Sequence, residues 1–331
     1  MEIKKVKTKG ETMIERAESQ FWAYEIDNND SQKDLVLLDN VQFIYELSLA
    51  ELELKALGVD FEVTNGLREF RILNKSDEQR ELIKRKGSYY KTVNGELTDY
   101  FQIIQKNQTR SVNQYLTHWM YPYKGKFHPQ MIRALLNIIG LKEGDTVFEP
   151  FSGSGTTALE AQLLGINFIG IDISPLCVIQ GRVKTRAIYV IDEIIKLKDT
   201  LISKLKPSLF NSEGNFYNVL KDIEDDDVRD FYTLARLLAV SDKERRGREF
   251  EQSFIKNLNL MINSVKDYKE ISRKLGLSLG NIDMKIGDAR NIELPINSVE
   301  GIITSPPYSI CNGPPDRYQS PVTNWCLWYP K

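Results

Sequence analysis

Three short runs in this sequence combine residue types that could do chemistry together. The first is Glu149-Pro150-Phe151-Ser152-Gly153-Ser154-Gly155-Thr156, the second closes on Asp172-Ile173, and the third is Ser305-Pro306-Pro307-Tyr308. Gly153 and Gly155 can take backbone angles barred to other residues, and they let a ligand approach without Cβ atoms in the way. A helix beginning at Thr156 would turn its unpaired N–H groups toward the same loop. An acidic side chain at the end of the next strand, Asp172, can accept both hydroxyl protons of a ribose. That combination predicts an adenosine-type ligand.

What is missing narrows the ligand. F-S-G-S-G is not G-x-G-x-x-G, and no lysine follows the loop as a phosphate-binding loop requires, so a dinucleotide or a nucleoside triphosphate fits poorly. Glu149 would repel phosphate and suits the cationic amine of a methionine moiety. Taken by itself, such a loop reads better as an ordinary β-α turn; the third run tips the balance. Its consecutive prolines fix φ and remove backbone donors, leaving the Ser305 hydroxyl and the Ser305 and Pro306 carbonyls as acceptors. Tyr308 then adds a flat surface for a base. Acceptors beside an aromatic plate are what an exocyclic nucleobase amine needs.

These elements require a β-α-β frame. Asp145–Glu149 reads as a buried strand, Thr156–Leu164 as a helix and Asn167–Asp172 as a second strand, with Gly301–Ile303 as the strand that carries Ser305. Pro129 opens a helix whose buried face is Met131, Ile132, Leu135, Leu136 and Ile139. From Val178 to Ile282 the alternation stops, and Val190–Leu205, Val228–Ala239 and Phe250–Leu275 read as long helices. Before Asn113, Asp34–Asp39, Gln42–Tyr45, Asp60–Val63 and Phe70–Leu73 suit strands, and Ser48–Leu57 suits a helix. The fold class expected is α/β: a doubly wound, mostly parallel sheet, incomplete at the C-terminus, with a helical insertion and a small N-terminal α+β module. The boundaries expected are 1–112 for the accessory module, 113–178 with 283–331 for the cofactor and catalytic domain, and 179–282 for the insertion.

The chain resembles the amino-methylating DNA methyltransferases, the N4-cytosine and N6-adenine group. E-P-F-S-G-S-G-T-T resembles their cofactor loop, G-I-D-I-S-P their second acidic motif, Gly287-Asp288-Ala289-Arg290 their adenine-holding segment and S-P-P-Y their catalytic tetrapeptide. The match is dense over residues 121–177 and 284–309. The resemblance implies S-adenosyl-L-methionine as cofactor, held by Glu149, Pro150, Phe151, Ser152, Gly153, Gly155, Thr156, Asp172, Ile173, Asp288 and Ala289. It implies Ser305, Pro306, Pro307 and Tyr308 as the catalytic group and double-stranded DNA as substrate. Serine at the head of the tetrapeptide is more typical of cytosine-N4 members, which sets that reading ahead of adenine-N6. K-F-H-P resembles the segment closing over the methionine end, which makes His128 a lining residue or, alternatively, a helix cap. L-S-L-A-E-L-E-L-K-A-L-G faintly resembles the start of tRNA guanine-N2 methyltransferases, so RNA stays open as a substrate.

Composition bounds these readings. The 331 residues carry 44 Lys and Arg against 46 Asp and Glu, a net charge of -2, which argues mildly against nucleic acid unless a basic cleft is local. Lys4–Lys9 could touch phosphates but reads better as a frayed terminus. Lys243, Arg245, Arg246 and Arg248 are phosphate-contact candidates within the insertion, where ordinary solvated surface is the stronger reading. Cys177, Cys311 and Cys326 lack metal-ligand spacing and there are only two histidines, so neither a zinc site nor a disulfide framework is expected. With no signal peptide or long apolar run, a cytoplasmic protein without a membrane span is expected. A cognate restriction endonuclease is a possible partner. Only 23 residues follow Tyr308, too few for the remaining strands and helices of a methyltransferase sheet. A truncated or frame-shifted product is therefore expected, with a permuted order or a separately encoded completing chain as alternatives.

Overall fold

The computed structural model describes residues 33–73, 76–107, 111, 113–123, 125–205 and 218–306. Pro307, Tyr308, Cys311, Cys326 and the basic run Lys4–Lys9 lie outside the described residues. Two sheets organise the remainder. Residues 35–97 build a five-stranded antiparallel sheet in the order β2-β3-β1-β4-β5. Its strands are β1 (Leu35–Leu37), β2 (Phe61–Thr64), β3 (Glu69–Ile72), β4 (Tyr90–Val93) and β5 (Glu96–Leu97). Helices α1 (Ile44–Ala56), α2 (Asp77–Lys86) and α3 (Asp99–Ile104) accompany it.

The expected strand at Gln42–Tyr45 is corrected: α1 starts at Ile44. The cause is local, because the Glu46 carboxylate folds back to accept from the Gln42 and Phe43 N–H groups at 2.8 and 3.0 Å. That contact satisfies donors the first helical turn leaves open. The sequence reading also gave no element to α2, β4 or α3. Helix α2 has a mean hydropathy too low to stand out, yet Ser76 caps it through the Gln79 N–H at 3.2 Å.

The second sheet is parallel, in the order β8-β7-β6-β9. Here β6 is Thr146–Glu149, β7 Asn167–Asp172, β8 Ile282–Ile286 and β9 Gly301–Ile302. The helices that follow α3 are α4 (Pro129–Ile138), α5 (Thr156–Leu163), α6 (Pro175–Leu205), α7 (Asp226–Arg246) and α8 (Phe250–Leu275). The chain is thus mixed α/β with a parallel sheet and helices between its strands. Sheet formation follows from Val147 in β6 and Phe168 in β7, which are buried with Ile132, Leu136, Ala158, Met284 and Ile303 in one apolar cluster.

Helices α6, α7 and α4 differ from expectation; α7 runs over Asp226–Arg246 and so extends past the expected Val228–Ala239. α6 begins at Pro175 and not at Val190, since Ser174 and Pro175 start it directly at the end of β7; the Cys177 N–H donates to Ser174 Oγ at 3.4 Å. Its buried Val183, Ala187, Ile191 and Ile194 keep one stripe over those added turns. Ile139, just past the end of α4, is exposed, while Arg133 and Asn137 within it are buried. Those two polar residues face helices α1 and α2, which accompany the antiparallel sheet: Arg133 donates to the Lys86 and Arg85 carbonyls at 3.2 and 3.1 Å, and Asn137 to Glu53 Oε1 at 2.7 Å. A helix clamped between α1 and α2 on one side and the parallel sheet on the other is buried on both sides, so an amphipathic reading captures only one of them.

α6, α7 and α8 pack on one another and on α5. Tyr232 donates to the Ile194 carbonyl at 2.5 Å and Tyr268 to Gln162 Oε1 at 2.8 Å. Phe231, Phe254, Leu258 and Met261 fill the space between them, each burial being worth roughly 1.5–3 kcal/mol. Among the described residues no helix is long and apolar enough to cross a membrane.

Candidate active site at the carboxyl edge of the parallel sheet

The order β8-β7-β6-β9 brings the three chemistry-bearing runs to one edge. All four strands run parallel, with Glu149 opposite Gly170, Asp172 opposite Ile286 and Phe148 opposite Ile302. Glu149, Asp172, Asp288 and Ser305 therefore all leave the sheet at its carboxyl end, on strands about 4.8 Å apart. The chain goes from β6 outward to β7 and β8, then returns to the other side of β6 with β9. Such a reversal leaves a crevice outside the strand ends, where ligands of open α/β sheets bind.

The loop between β6 and α5 is held open by backbone geometry. Gly153 and Gly155 have φ of 48° and 73°. A Cβ on Gly155 would stand 2.6 Å from the Gly181 Cα of α6, so only glycine permits this approach. The loop is pinned to β7 as well: the Ser152 N–H and hydroxyl both donate to the Ile171 carbonyl, at 3.0 and 2.9 Å. The Gly153 N–H donates to Asp172 Oδ2 at 2.8 Å, and the Ser174 N–H to Oδ1 at 2.9 Å. Asp172 is thereby fixed in orientation while each oxygen keeps a lone pair for a ligand hydroxyl.

Glu149 is the site's most unusual group. Its side chain is 1% exposed, and Oε2 has no hydrogen-bond partner among the described residues. Burial pushes its carboxyl up to about 8; the neighbouring Thr157 hydroxyl opposes that and the Asp172 charge adds to it. A buried carboxylate oxygen left unmatched costs about 1–3 kcal/mol or more, and a cation placed against it recovers that cost. Thr156, at the first position of α5, also has a buried hydroxyl without a partner among the described residues. An unmatched carboxylate, a fixed Asp172 and a glycine cradle fit a ligand with a cationic amine and a ribose.

The other expected site residues divide. Pro150 and Phe151 are half-buried beside Glu149, and Ile173 is exposed at the rim beyond Asp172. Asp288 and Ala289 directly follow β8, with the Gly287 N–H donating to the Asp172 carbonyl at 3.1 Å. The Asp288 carboxylate is bound by Arg290, whose Nε lies 3.0 Å from both oxygens, and that contact holds it down to about 2. His128 is the residue ahead of α4, its side chain making no cap bond to the helix. Burial lowers its imidazole below the ordinary range. Ser305 is half-buried and Pro306 exposed; Pro307 and Tyr308 lie outside the described residues. In the insertion, Arg246 and Arg248 turn back onto Asp242 at 2.8 and 3.4 Å, which accords with the surface reading of that basic cluster.

Sequence reasoning missed a strap over residues 113–123 that lies against the loop. Tyr123 carbons come within 3.3 Å of where a Gly153 Cβ would be. Behind it, Glu160 of α5 is fully buried: Oε1 accepts from Tyr115 at 2.5 Å and meets His118 Nε2 at 2.8 Å, while Oε2 faces Arg133 at 3.6 Å. The Lys184 Nζ of α6 donates to the Ser154 carbonyl at 2.6 Å. The available signal was Glu160 as the single charged residue of the helix Thr156–Leu163, but no local spacing reveals its partners.

Comparison with known proteins places this geometry. The chain matches the model of a family described as DNA methylase over residues 8–180, and that of an RMKL-like methyltransferase domain over residues 120–319. It is 29% identical over 173 residues to the type II methyltransferase M.MjaII of Methanocaldococcus jannaschii, covering 52% of this chain and 30% of that protein. It is 39% identical over 103 residues to the type II methyltransferase M.BsoBI of Geobacillus stearothermophilus, covering 31% of this chain and 20% of the relative. Over 77 residues it is 32% identical to the tRNA (guanine(10)-N2)-dimethyltransferase of Methanothermobacter thermautotrophicus, 23% of this chain and 22% of that one. The matched segments thus span less than a third of the length of these curated relatives.

Proposed function

The chain belongs to the DNA methylase family, and on that premise we propose that it transfers a methyl group from S-adenosyl-L-methionine to the N4 amine of cytosine in double-stranded DNA. The observation that carries this reading is the convergence, at one carboxyl edge, of the unmatched Glu149, the backbone-locked Asp172 and the strand leading into Ser305. When bound, the cofactor supplies an electrophilic sulfonium methyl. Glu149 binds the methionine ammonium as an ion, and Thr156 and the loop backbone orient the carboxylate end. Asp172 accepts from the ribose hydroxyls, Ile173 and Phe151 flank the adenosine, and Asp288 and Ala289 hold its base edge once Arg290 yields a carboxylate oxygen. His128 lines the methionine end.

The target cytosine leaves the duplex, at a cost of a few kcal/mol in unstacking, and stacks on Tyr308. The Ser305 hydroxyl and Pro306 carbonyl accept from its amine, which directs the nitrogen lone pair to the methyl; Pro307 stiffens the turn. Most of the rate enhancement is orientation. The sheet is doubly wound, residues 179–282 contribute to target recognition, and residues 1–112 act as an accessory module of a cytoplasmic enzyme. A cognate endonuclease is its proposed partner.

Duplex DNA incubated with methyl-labelled cofactor is expected to yield N4-methylcytosine on nucleoside digestion. Ser305→Ala is expected to lower transfer on the order of 10²-fold, with cofactor affinity unchanged. N6-methyladenine as the product would reassign the base. A second reading, transfer to RNA, is favoured by the resemblance to tRNA guanine-N2 methyltransferases; label entering tRNA and not DNA would replace the first reading.

A further inference from the structure

Lys184 is a buried lysine that the proposed reaction does not use. Its side chain is 1% exposed, and the Nζ donates to the Ser154 carbonyl, at the centre of the Gly-Ser loop, at 2.6 Å. The backbone of the same residue is tied on its other side: its carbonyl accepts from Thr117 Oγ1 of the strap at 2.8 Å. The strap itself is clamped to α5 by the Tyr115 and His118 contacts with Glu160. It is also held to α8 by Trp119 Nε1 donating to Ser264 Oγ at 2.7 Å. One lysine therefore joins the helix after β7, the strap and the loop after β6.

We propose that Lys184 is a positioning residue for the cofactor loop, setting the Ser154 carbonyl and through it the Gly153 and Gly155 turns that form the cradle. The inference rests on the reading of that loop as the seat of S-adenosyl-L-methionine. Electrostatics explains why a lysine can stand there. An ammonium beneath the loop would repel a cationic sulfonium, whereas a neutral amine keeps its N–H donors without the charge. Burial pushes the Lys184 amine well below its ordinary range, the Lys126 charge works in the same direction, and Cys177 opposes them. The donor matters because the carbonyl it serves is buried: an unmet buried acceptor costs more than a hydrogen bond contributes.

Lys184→Met keeps length and apolar contacts and removes only the donor. In hydrogen exchange on the cofactor-free protein, amides 152–156 of this variant are expected to exchange about tenfold faster, while those of β6 and β8 keep wild-type rates. Calorimetric affinity for S-adenosyl-L-methionine is expected to fall about tenfold. Unchanged exchange in the loop, or faster exchange spread over the whole sheet, overturns the proposal. If Lys184→Met fails to fold, Thr117→Val removes the strap tie alone and should give a smaller change confined to the same amides; no change there overturns the proposal equally. A wild-type chain that binds no S-adenosyl-L-methionine refutes the cofactor reading, and the exchange comparison still decides the role of Lys184.

Discussion

Glu149, which ends β6, and Glu160, in α5, stand on either side of one loop, and both are buried, but their surroundings differ. Glu160 has Tyr115 and His118 on one oxygen and Arg133 facing the other. Glu149 leaves an oxygen unmatched at the crevice. Burial raises both carboxyls, Glu149 to about 8 and Glu160 only to about 6, because Arg133 and the Tyr115 hydroxyl oppose it at Glu160. Partnered burial marks a carboxylate that holds elements together, and unpartnered burial at a crevice marks the one we propose to bind a cation.

Removing each carboxylate should separate these roles. Glu160→Ala leaves Arg133 buried without its anion and is expected to cost about 3–5 kcal/mol of stability, read as a lower denaturation midpoint. If stability is unchanged, the network around Glu160 is not structural and the contrast fails. Glu149→Gln removes a group that destabilises the cofactor-free fold, so its melting temperature is expected to stay level or rise. Its affinity for S-adenosyl-L-methionine should drop roughly 30-fold, within the range for truncating one partner of a buried charge pair. Equal affinity in calorimetry would remove Glu149 from the site.

Protons give a further contrast. The Glu149 carboxyl rises from 4.5 to about 8 on folding, so between those values the folded state binds more protons than the unfolded one. Its contribution to stability is therefore unfavourable wherever the group would otherwise ionise, and it grows more so as pH climbs from about 4.5 to 8. A cationic ligand reverses this by requiring the ion. Binding near pH 7 should release close to one proton, visible as a dependence of calorimetric heat on buffer ionisation, and Glu149→Gln should abolish it. The smallest expected effect belongs to the insertion. Arg246→Ala is expected to change duplex affinity less than about twofold, since its guanidinium is already engaged by Asp242; a larger loss in a salt titration would restore it as a phosphate contact.

Much of the parallel sheet was legible because its signals are local. Asn167–Asp172 is a strand with the expected limits, and Thr156 opens α5 as expected. Buried parallel strands are short apolar runs, and glycines between strand and helix punctuate them. The antiparallel region was read less well. Gln42–Tyr45 has strand-like side chains, but the reach of Glu46 to two backbone N–H groups decides for helix. The start of α6 escaped notice because Pro175 follows so closely on Asp172 that the turn has no spacer.

By itself, the sequence singled out the residues proposed to serve chemistry: the glycines that alone tolerate the loop's angles, the acidic residues at strand ends and the Ser305-Pro306 pair. These depend on backbone sterics and residue type within a few positions of chain. The tertiary structure alone decided which carboxylate is matched and which is not, that Lys184 meets Ser154, and that α4 is buried on both faces. Those facts depend on burial, and burial is set by what distant segments place against a residue; Lys86, Arg133 and Glu160 come from three separate elements. Removal from water raises the cost of every unmatched polar atom, so the same side chain is a brace in one place and, as we propose, a binding group in another.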